Sequence, residues 1–181
     1  GNNTGAKYAI DCPAGRYSTV TGNTACTICD DFVAAGSCTA SSAGTCKVSY
    51  GGDADTFAGG SGCSLCAGDN YKTTDENAEC SACDTNSTGC GGGSAGTCAA
   101  GYYGDASTSS CAACSAGRYK AAAGDDATEN NVCLPVGTGK CASIDNINCI
   151  AGNNTGAVFA MTCPAGRYSD ITTSTACTTC D

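Results

Sequence analysis

The chain has 181 residues, of which 19 are cysteine, and it contains neither histidine nor tryptophan. Its net charge of −9, from 17 acidic and 8 basic residues, argues against a nucleic-acid partner, because binding to phosphates needs clustered lysine and arginine. Only 17 residues are Leu, Ile, Val or Phe, which is too few for a conventional hydrophobic core. The composition therefore predicts a scaffold that is held together by disulfides.

The sequence is repetitive, and its longest repeat has a period of 151 residues. Residues 1–30 recur at 152–181 with 21 of 30 positions identical. A shorter repeat relates SAGTCKVSYGGDA at 42–54 to SAGTCAAGYYGDA at 94–106. We therefore expect a stretch of a longer tandem array, in which each unit contacts mainly its neighbours. The predicted modules are residues 1–45, 46–97 and 98–151, and residues 152–181 begin the next period.

Regular secondary structure is predicted to be sparse, because no segment sustains a helical apolar period. Taken in chain order, YAI at 8–10 predicts a short strand, residues 121–130 predict a helical turn, and VFAM at 158–161 predicts a second strand. Gly, Ser, Thr, Asn and Asp fill the segments between cysteines and favour turns. The predicted fold class is a small disulfide-rich repeat, an elongated rod of short β-hairpins and loops with very little helix.

Tyrosine marks the start of most loops. Seven of the eight tyrosines lie four or five residues after a cysteine, as in CPAGRY at 12–17 and 163–168 and CSAGRY at 114–119. The glycine of these motifs fits a tight turn that needs positive φ. We expect each tyrosine ring to pack over a neighbouring disulfide and to have a structural role.

The cysteine spacing predicts disulfides between successive cysteines. Each loop closed in this way encloses 6 to 18 residues, so the entropy of loop closure stays modest. A nested alternative, such as Cys29 with Cys46, stays open, because spacing alone does not fix connectivity. The sequential pairs are Cys12–Cys26, Cys29–Cys38, Cys46–Cys63, Cys66–Cys80, Cys83–Cys90, Cys98–Cys111, Cys114–Cys133, Cys141–Cys149 and Cys163–Cys177.

Cys180 is left over by this scheme. By the repeat it is equivalent to Cys29, which pairs forward with Cys38. We therefore expect Cys180 to be unpaired, with its partner eight or nine residues further along a continuing array or in a following segment. We also expect the two ends of the segment to lie at opposite poles of the rod.

Metal binding is the main alternative use of these cysteines. CSLC–x13–CSAC at 63–83 has nearly the spacing of a four-cysteine zinc site. No other CxxC has a second CxxC at a comparable distance, and histidine is absent, so we favour disulfides. A redox CxxC needs a βαβ scaffold and a helix N-terminus that lowers the thiol pKa, and neither is visible in the sequence.

The sequence shows no catalytic constellation and predicts no cofactor, so we expect a protein without enzyme activity. The carboxylate pairs are expected to be solvated loop charges; they are Asp30/Asp31, Asp75/Glu76 and Asp125/Asp126. Disulfides persist in oxidising compartments, which predicts an extracellular or cell-surface location, and no apolar run is long enough to predict a membrane span. N-linked glycan is predicted at the three sequons, Asn2, Asn86 and Asn153.

The motif CPAGRYS…ACTxCD resembles the cysteine-rich repeats of ciliate surface proteins, the immobilisation antigens. At a broader level, C-x-x-G-x-Y…CxxC resembles the ephrin-receptor-like and tumour-necrosis-factor-receptor-like extracellular modules. The resemblance covers the whole chain as a cysteine pattern, and it implies elongated ectodomains or dense surface coats. This chain lacks the third cysteine of the receptor pattern, three residues beyond CxxC, so the crossed pairing of that family is not carried over.

Two functions are consistent with these features. The first is a structural extracellular glycoprotein that forms a surface coat or fibre, through self-association or continuation into further repeats. The alternative is a cysteine-rich receptor ectodomain or adhesin that binds a protein ligand. A receptor is expected to expose an aromatic or arginine patch in one module that breaks the pattern. The sequence shows no such module, since Arg16, Arg118 and Arg167 all lie inside the same CxAGRY motif.

Overall fold

The computed structural model describes residues 11–19, 25–55, 62–147, 149 and 154–180. Within these ranges the chain is built from short β-hairpins, and its α-helix, α1 (Glu129–Val132), has a single turn, with a 3₁₀ turn at Ala106–Thr108. The predicted class, a small disulfide-rich β-hairpin repeat with very little helix, is confirmed. The rod shape stays a prediction.

Each strand pairs antiparallel with the next or preceding strand along the chain, in two-stranded hairpins. The first four hairpins are β1 (Arg16–Tyr17) with β2 (Thr27–Ile28), β3 (Tyr50–Gly52) with β4 (Cys63–Leu65), β5 (Asn70–Tyr71) with β6 (Ser81–Ala82), and β7 (Ser87–Thr88) with β8 (Thr97–Cys98). The other four are β9 (Tyr102–Tyr103) with β10 (Ala112–Ala113), β11 (Arg118–Tyr119) with β12 (Leu134–Pro135), β13 (Lys140–Ser143) with β14 (Phe159–Thr162), and β15 (Arg167–Tyr168) with β16 (Thr178–Thr179).

The turn before each Arg-Tyr strand has the predicted conformation. In the first motif the Arg16 N–H donates to the Pro13 carbonyl at 3.0 Å, and Gly15 between them has a φ of +79°. A positive φ at the third turn residue is the type II arrangement, which an L side chain adopts only with strain. Gly117 and Gly166 repeat it with φ of +81° and +78°. The CxAGRY motif is therefore a turn that leads into a strand.

The helical turn predicted over residues 121–130 is wrong for most of its length, because α1 begins only at Glu129. The backbone before it is bonded elsewhere: the Gly124 N–H donates to the Cys98 carbonyl at 2.8 Å, and Asp126 exchanges two backbone hydrogen bonds with Gly104. Those groups cannot also form the i to i−4 bonds of a helix. The strand predicted at 158–161 is confirmed as β14, shifted by one residue, and the strand predicted at 8–10 lies outside the described residues.

Nine disulfides join successive cysteines, and the bonded pairs are the nine of the sequential scheme. Their Cα–Cα separations run from 5.4 to 6.3 Å, within the range that disulfide geometry allows. The nested alternative does not form, because Cys29 bonds to Cys38 and Cys46 bonds to Cys63. Cys180 is free and exposed, as expected.

The chain divides into two compact units, and cysteine and alanine make up most of the buried core in each. Unit 1 comprises residues 1–82 and 91–94, and unit 2 comprises residues 83–90 and 95–181. The buried cluster of unit 1 contains Tyr17, Ala43, Cys46, Ala54 and Cys63. The described residues of unit 2 form three buried clusters: Cys98, Ala106 and Cys111; Val136, Ala142 and Ala157; and Cys141, Cys149 and Cys177. Sulfur therefore fills the space that aliphatic side chains fill in ordinary domains.

The expectation that each tyrosine ring packs over a disulfide is confirmed for three rings. Tyr17 belongs to the cluster of Cys46 and Cys63, Tyr50 packs against the same cluster, and Tyr102 packs against the cluster of Cys98 and Cys111. Tyr119 departs from it, because its ring packs on the aliphatic cluster around Val136. Tyr168 also departs from it, with 47% of its surface exposed.

The buried position of a disulfide should add to its effect on stability. The Cys98–Cys111 and Cys12–Cys26 bonds span nearly equal separations of 13 and 14 residues, so their loop entropies match. Cys98 is fully buried, whereas Cys12 is only half-buried. Replacing both cysteines by alanine should cost about 3 kcal/mol at either bond through loop entropy, and more at Cys98–Cys111 through lost packing. Guanidinium unfolding followed by circular dichroism measures this difference, and equal losses would contradict the packing role.

Candidate functional site: the repeated joint between loops

A recurring set of contacts joins one disulfide loop to the next, and we call it the joint. One copy lies in unit 1 and is formed by residues of the range 29–80; the other lies in unit 2 and is formed by residues of the range 83–133. Each copy uses an aspartate that follows CxxC, an amide or carboxylate oxygen bonded to two N–H groups, and a buried lysine. Asp30, Lys72 and Lys120 are buried, whereas Asn77 and Asp125 are exposed, and the hydrogen-bond partners of all of them show what the joint does.

The first component in unit 1 is Asp30, which is only 5% exposed. One carboxylate oxygen accepts the Phe32 N–H at 2.8 Å, and the other accepts the Cys63 N–H at 2.8 Å, 33 residues away. The prediction that Asp30 is a solvated loop charge is therefore wrong. A buried carboxylate is tolerated because both oxygens accept backbone hydrogen bonds. Asp31 beside it is exposed.

Asp84 occupies the same place in unit 2. Its carboxylate accepts the Asn86 N–H at 2.7 Å and the Cys111 N–H at 3.0 Å. Cys63 and Cys111 are the second cysteines of equivalent disulfides, Cys46–Cys63 and Cys98–Cys111. The aspartate after CxxC therefore anchors the backbone of the following loop at the cysteine that closes it.

The second component satisfies the cysteine that opens that loop. In unit 1 the Asn77 side-chain oxygen accepts the Cys46 N–H at 3.0 Å and the N–H eight residues further on at 3.2 Å. In unit 2 an Asp125 carboxylate oxygen accepts the Cys98 N–H at 2.8 Å and, again eight residues on, a second N–H at 3.3 Å. Asn and Asp both supply the side-chain oxygen acceptor that this place needs, and Asn77 in addition donates its Nδ2–H to the Gly44 carbonyl at 3.1 Å.

The third component is a buried lysine in the loop that comes next along the chain, directly after the tyrosine of that loop: Lys72 after Tyr71 and Lys120 after Tyr119. Lys72 is 4% exposed, and its Nζ donates to the Cys46 carbonyl at 3.0 Å. Burial lowers the pKa of this ammonium, while Glu76 and Asp75 oppose that shift. The Lys72 ammonium and the Asn77 side chain thus bind the carbonyl and the N–H of Cys46, respectively.

Lys120 repeats this contact in unit 2 and extends it. It is 6% exposed, and its Nζ donates to the carbonyls of Cys98, Tyr102 and Gly124. Burial lowers its pKa as well, opposed by the neighbouring carboxylates of residues 125 and 126. Three carbonyl acceptors use the whole donor capacity of an ammonium group. Lys120 is therefore committed to the backbone of its own unit.

The three arginines of the CxAGRY motifs are also committed to the backbone. Each guanidinium donates to the carbonyl of the cysteine that closes its own loop: Arg16 to Cys26 at 3.1 Å, Arg118 to Cys133 at 2.8 Å, and Arg167 to Cys177 at 3.3 Å. This contact braces the loop across its disulfide. It gives the arginines a structural role and leaves them less suited to binding an external partner.

The cysteines of the zinc-like spacing at 63–83 are divided among three disulfides: Cys46–Cys63, Cys66–Cys80 and Cys83–Cys90. Within the described part of the chain, two groups of possible ligand atoms converge: Cys141, Cys149 and Cys177; and Cys98, Cys111 and Asp125. Every sulfur in both groups is bonded to another sulfur. Zinc coordination needs thiolates, so these sulfurs serve as cross-links.

Of the three predicted glycosylation sites, Asn86 is described, and Asn2 and Asn153 lie outside the described residues. Asn86 is half-buried, directly before β7, and its Nδ2 donates to the Cys111 carbonyl at 3.3 Å. A glycosidic bond replaces one of the two amide hydrogens and leaves the other to donate. The hydrogen bond to Cys111 is therefore chemically compatible with glycan at Asn86.

Unit 1 has a partly exposed aromatic patch, formed by exposed Phe32 with half-buried Tyr50 and Lys47, that the cysteine pattern of the sequence does not indicate. The ring of Phe32, 41% exposed, stacks on Tyr50 with centroids 4.6 Å apart and planes at 11°. The Lys47 Nζ lies 4.7 Å from the Tyr50 centroid and 5.3 Å from the Phe32 centroid. In the second joint Asn86 stands where Phe32 stands, so the patch breaks the repeat. Lys47 likewise has no counterpart there, because Ala99 stands at its place, and these two differences between equivalent loops are the sequence signal of the patch.

No protein-family model matches this chain, and neither a curated protein nor a solved structure matches it. Among the described residues, no helix is long and apolar enough to cross a membrane. The fold and the joint nevertheless define a class, a cysteine-rich repeat of small disulfide-linked β-hairpins. Nine disulfides in so short a chain are typical of secreted and extracellular proteins.

The anchoring role of Asp30 predicts a large effect of its removal. Asp30→Ala leaves two backbone N–H groups without acceptors and should cost about 2–5 kcal/mol of unfolding free energy. Asp30→Asn keeps one acceptor oxygen and should cost less, and Asp31→Ala, at the exposed neighbour, should be nearly neutral. Denaturant unfolding of the three variants measures this order. Equal effects of Asp30→Ala and Asp31→Ala would contradict the anchor.

The buried lysines predict a reactivity pattern. An amine-acetylating reagent should modify exposed Lys140 readily in the native protein, and Lys72 and Lys120 at least about ten-fold more slowly, because labelling requires local opening. Peptide mass spectrometry after timed labelling gives the three rates. Denaturation with reductant should make them equal. Rapid native labelling of Lys120 would show that its ammonium is not held by the carbonyls.

Proposed function

We propose that this chain is a structural extracellular glycoprotein, whose tandem disulfide-linked repeats form a surface coat or fibre without catalysis. The observation that carries the proposal is the repetition of the joint in both units. Its polar side chains bond to backbone groups of a neighbouring loop, which is a later loop for Asp30 and Asp84 and an earlier one for Asn77, Asp125, Lys72 and Lys120. A chain whose charged groups hold its own backbone is suited to building an array.

The resemblance of the CPAGRY motifs to ciliate immobilisation antigens and to receptor-like extracellular modules supports the same proposal. Both kinds of module build elongated or coat-forming ectodomains. The acidic balance of the chain fits a hydrated surface layer in which neighbouring molecules repel non-specific partners. The proposed chain is thus a spacer or covering, located at or outside the cell surface.

A noncatalytic role is consistent with the groove beside Lys120. The groove has a volume of about 360 Å³ and is lined mainly by residues 121–124 with Tyr119, Val132 and Leu134. The ammonium group of Lys120 already donates to three carbonyls. A general acid, a general base or a nucleophile needs a free group at the substrate, and the Lys120 ammonium does not provide one.

Electron microscopy of the material isolated from its native surface tests this function. A coat or fibre predicts filaments or an ordered layer with an axial repeat, which dissolve under reductant together with the disulfides. Soluble, separate particles without any ordered assembly would reject the proposal. The same preparation treated with a non-reducing detergent serves as the control for membrane removal.

The sugar component is tested at Asn86. Enzymatic release of N-glycan in ¹⁸O-water should convert Asn86 to labelled aspartate, whereas exposed Asn130, which is outside any sequon, should stay unlabelled. Thr88→Ala removes the acceptor motif without touching Asn86 and should abolish the label. An unlabelled Asn86 in native material would remove the glycan from the proposal at this site.

The aromatic patch of Phe32, Tyr50 and Lys47 favours a second candidate, a receptor ectodomain or adhesin with a protein ligand. Exposed aromatic and cationic side chains are enriched at the centres of binding interfaces. An immobilised panel of extracellular proteins, probed with the chain, tests it. Phe32→Ala should abolish any specific binding, and Phe159→Ala, at another exposed ring, should not. Binding unaffected by Phe32→Ala would reject the patch as a ligand site.

A further inference from the structure

Three hairpin edges in the described residues share one arrangement. At each, the residue after the loop tyrosine donates its backbone N–H to a carbonyl of a later segment: Ser18 to Ala40 at 3.0 Å, Lys72 to Gly92 at 2.8 Å, and Lys120 to Ala157 at 3.1 Å. The tyrosine that precedes each of these donors is largely shielded from solvent. Tyr17 is 4% exposed, Tyr71 is 6% exposed, and Tyr119 is half-buried. A later segment therefore closes each edge.

The fourth edge of this kind is open. β15 has the same Arg-Tyr sequence and the same turn before it, but Tyr168 is 47% exposed. Within the part of the chain that the structure describes, no backbone carbonyl accepts the Ser169 N–H. Cys180, on the partner side of the same hairpin, is free and exposed. We call Tyr168, Ser169 and Cys180 the open edge, in which the side chains of Tyr168 and Cys180 are exposed and Ser169, directly after the strand, is 8% exposed with its N–H not bonded to any described backbone carbonyl.

The covered edges show which segment fits there. Where a CxxC ends the loop, the cover is a four-residue turn, closed by a bridge between Thr39 and Ser42 or between Gly91 and Ser94. The second cysteine of the same CxxC bonds to the cysteine just before that turn, as in Cys29–Cys38 and Cys83–Cys90. One segment thus supplies both the cysteine that bonds to the CxxC and the carbonyl that accepts the N–H after the tyrosine. At the open edge, Cys180 lacks such a cysteine and the Ser169 N–H lacks such a carbonyl within the described residues.

We propose that the open edge is a docking surface for a cysteine-bearing turn of another repeat, of the type formed by residues 38–42. Its cysteine, equivalent to Cys38, bonds to Cys180, and its turn carbonyl, equivalent to that of Ala40, accepts the Ser169 N–H. This inference rests on the proposed function as a tandem array. Addition of a segment to an exposed strand edge is a common recognition mode, and here the disulfide makes it covalent.

The bond forms by thiol–disulfide exchange with a glutathione-type oxidant. The incoming cysteine is first converted to its mixed disulfide, which releases one glutathione thiol. The Cys180 thiolate then attacks the protein sulfur of that mixed disulfide and expels the second glutathione as thiolate. In sum, two protein thiols lose two electrons and two protons, and one glutathione disulfide becomes two glutathione thiols.

The test joins a copy of residues 31–65 to the end of the full chain, in register with the repeat. The added copy carries three cysteines, which with Cys180 make an even number. A matched control carries the same residues in shuffled order with the cysteines kept in place. After oxidative refolding with glutathione, disulfide mapping, tyrosine nitration and amide hydrogen exchange are measured on the unextended chain and on both extended chains.

The proposal predicts a bond between Cys180 and the copied Cys38, with nitration of Tyr168 slowed at least about ten-fold and exchange at Ser169 slowed likewise, because both then require opening of the docked edge. Buried Tyr17 is the internal reference. The shuffled extension should leave Tyr168 reactive even where it bonds to Cys180. Equal Tyr168 reactivity in the two extended chains would overturn the proposal.

Protection of Tyr168 in the unextended chain, rising with protein concentration, would also overturn it. That result would assign the open edge to a second copy of the chain rather than to a cysteine-bearing turn. None of these readouts depends on whether the native material is a filament. A failure of docking is therefore distinguishable from a failure of the proposed coat.

Discussion

The disulfide that closes each loop, as Cys12–Cys26 closes the first and Cys29–Cys38 the second, is the constraint on which the remaining structure depends. It holds two points of a loop at Cα separations of 5.4 to 6.3 Å and lets a hairpin of only two to four residues per strand persist. Isolated two-stranded hairpins are marginal in water, so these need the covalent closure. The sulfur atoms are also the core, because Cys46, Cys98, Cys114, Cys133 and Cys141 are the fully buried cysteines.

Residues 136–139 of unit 2 show that the place of the buried cysteine of a joint can be taken by another apolar side chain. Gly139 makes the backbone bonds that Ser49 and Gly101 make in the two joints, donating to Ser169 and accepting from Cys163. In the two joints, a cysteine lies three residues before the equivalent residue: Cys46 before Ser49 and Cys98 before Gly101. Three residues before Gly139, the chain has Val136 instead, which is 4% exposed and packs with Ala142 and Ala157. A small aliphatic cluster can thus replace the buried sulfur pair. The position demands a compact apolar group, and the remaining bonds supply the cross-linking.

The sequence was sufficient for the hairpin class and for β14, because cysteine spacing and short apolar runs are local signals. It was not sufficient for Asp30, whose partner Cys63 lies 33 residues away, or for Lys120, which binds carbonyls of three separate residues. The backbone N–H and carbonyl groups that these side chains bind are set by the contacts between loops, which local sequence does not encode. The recurrence of aspartate after CxxC and of lysine after tyrosine was visible, but hydrophilic residues in loops are ordinarily solvated. The aromatic patch had still less signal, since Phe32 and Tyr50 meet only across a bridge between Val33 and Cys46.

The most direct test of this account is the disulfide map of the oxidised protein, obtained by non-reducing digestion and mass spectrometry with free thiols blocked beforehand. The account predicts bonds between successive cysteines only, and a blocked thiol at Cys180 of the unextended chain. Cleavage between Cys26 and Cys29, and between Cys80 and Cys83, separates the sequential pairs from nested ones. A bond that skips a cysteine, such as Cys29 with Cys46, would place the cysteines of the joint in different loops and contradict the account.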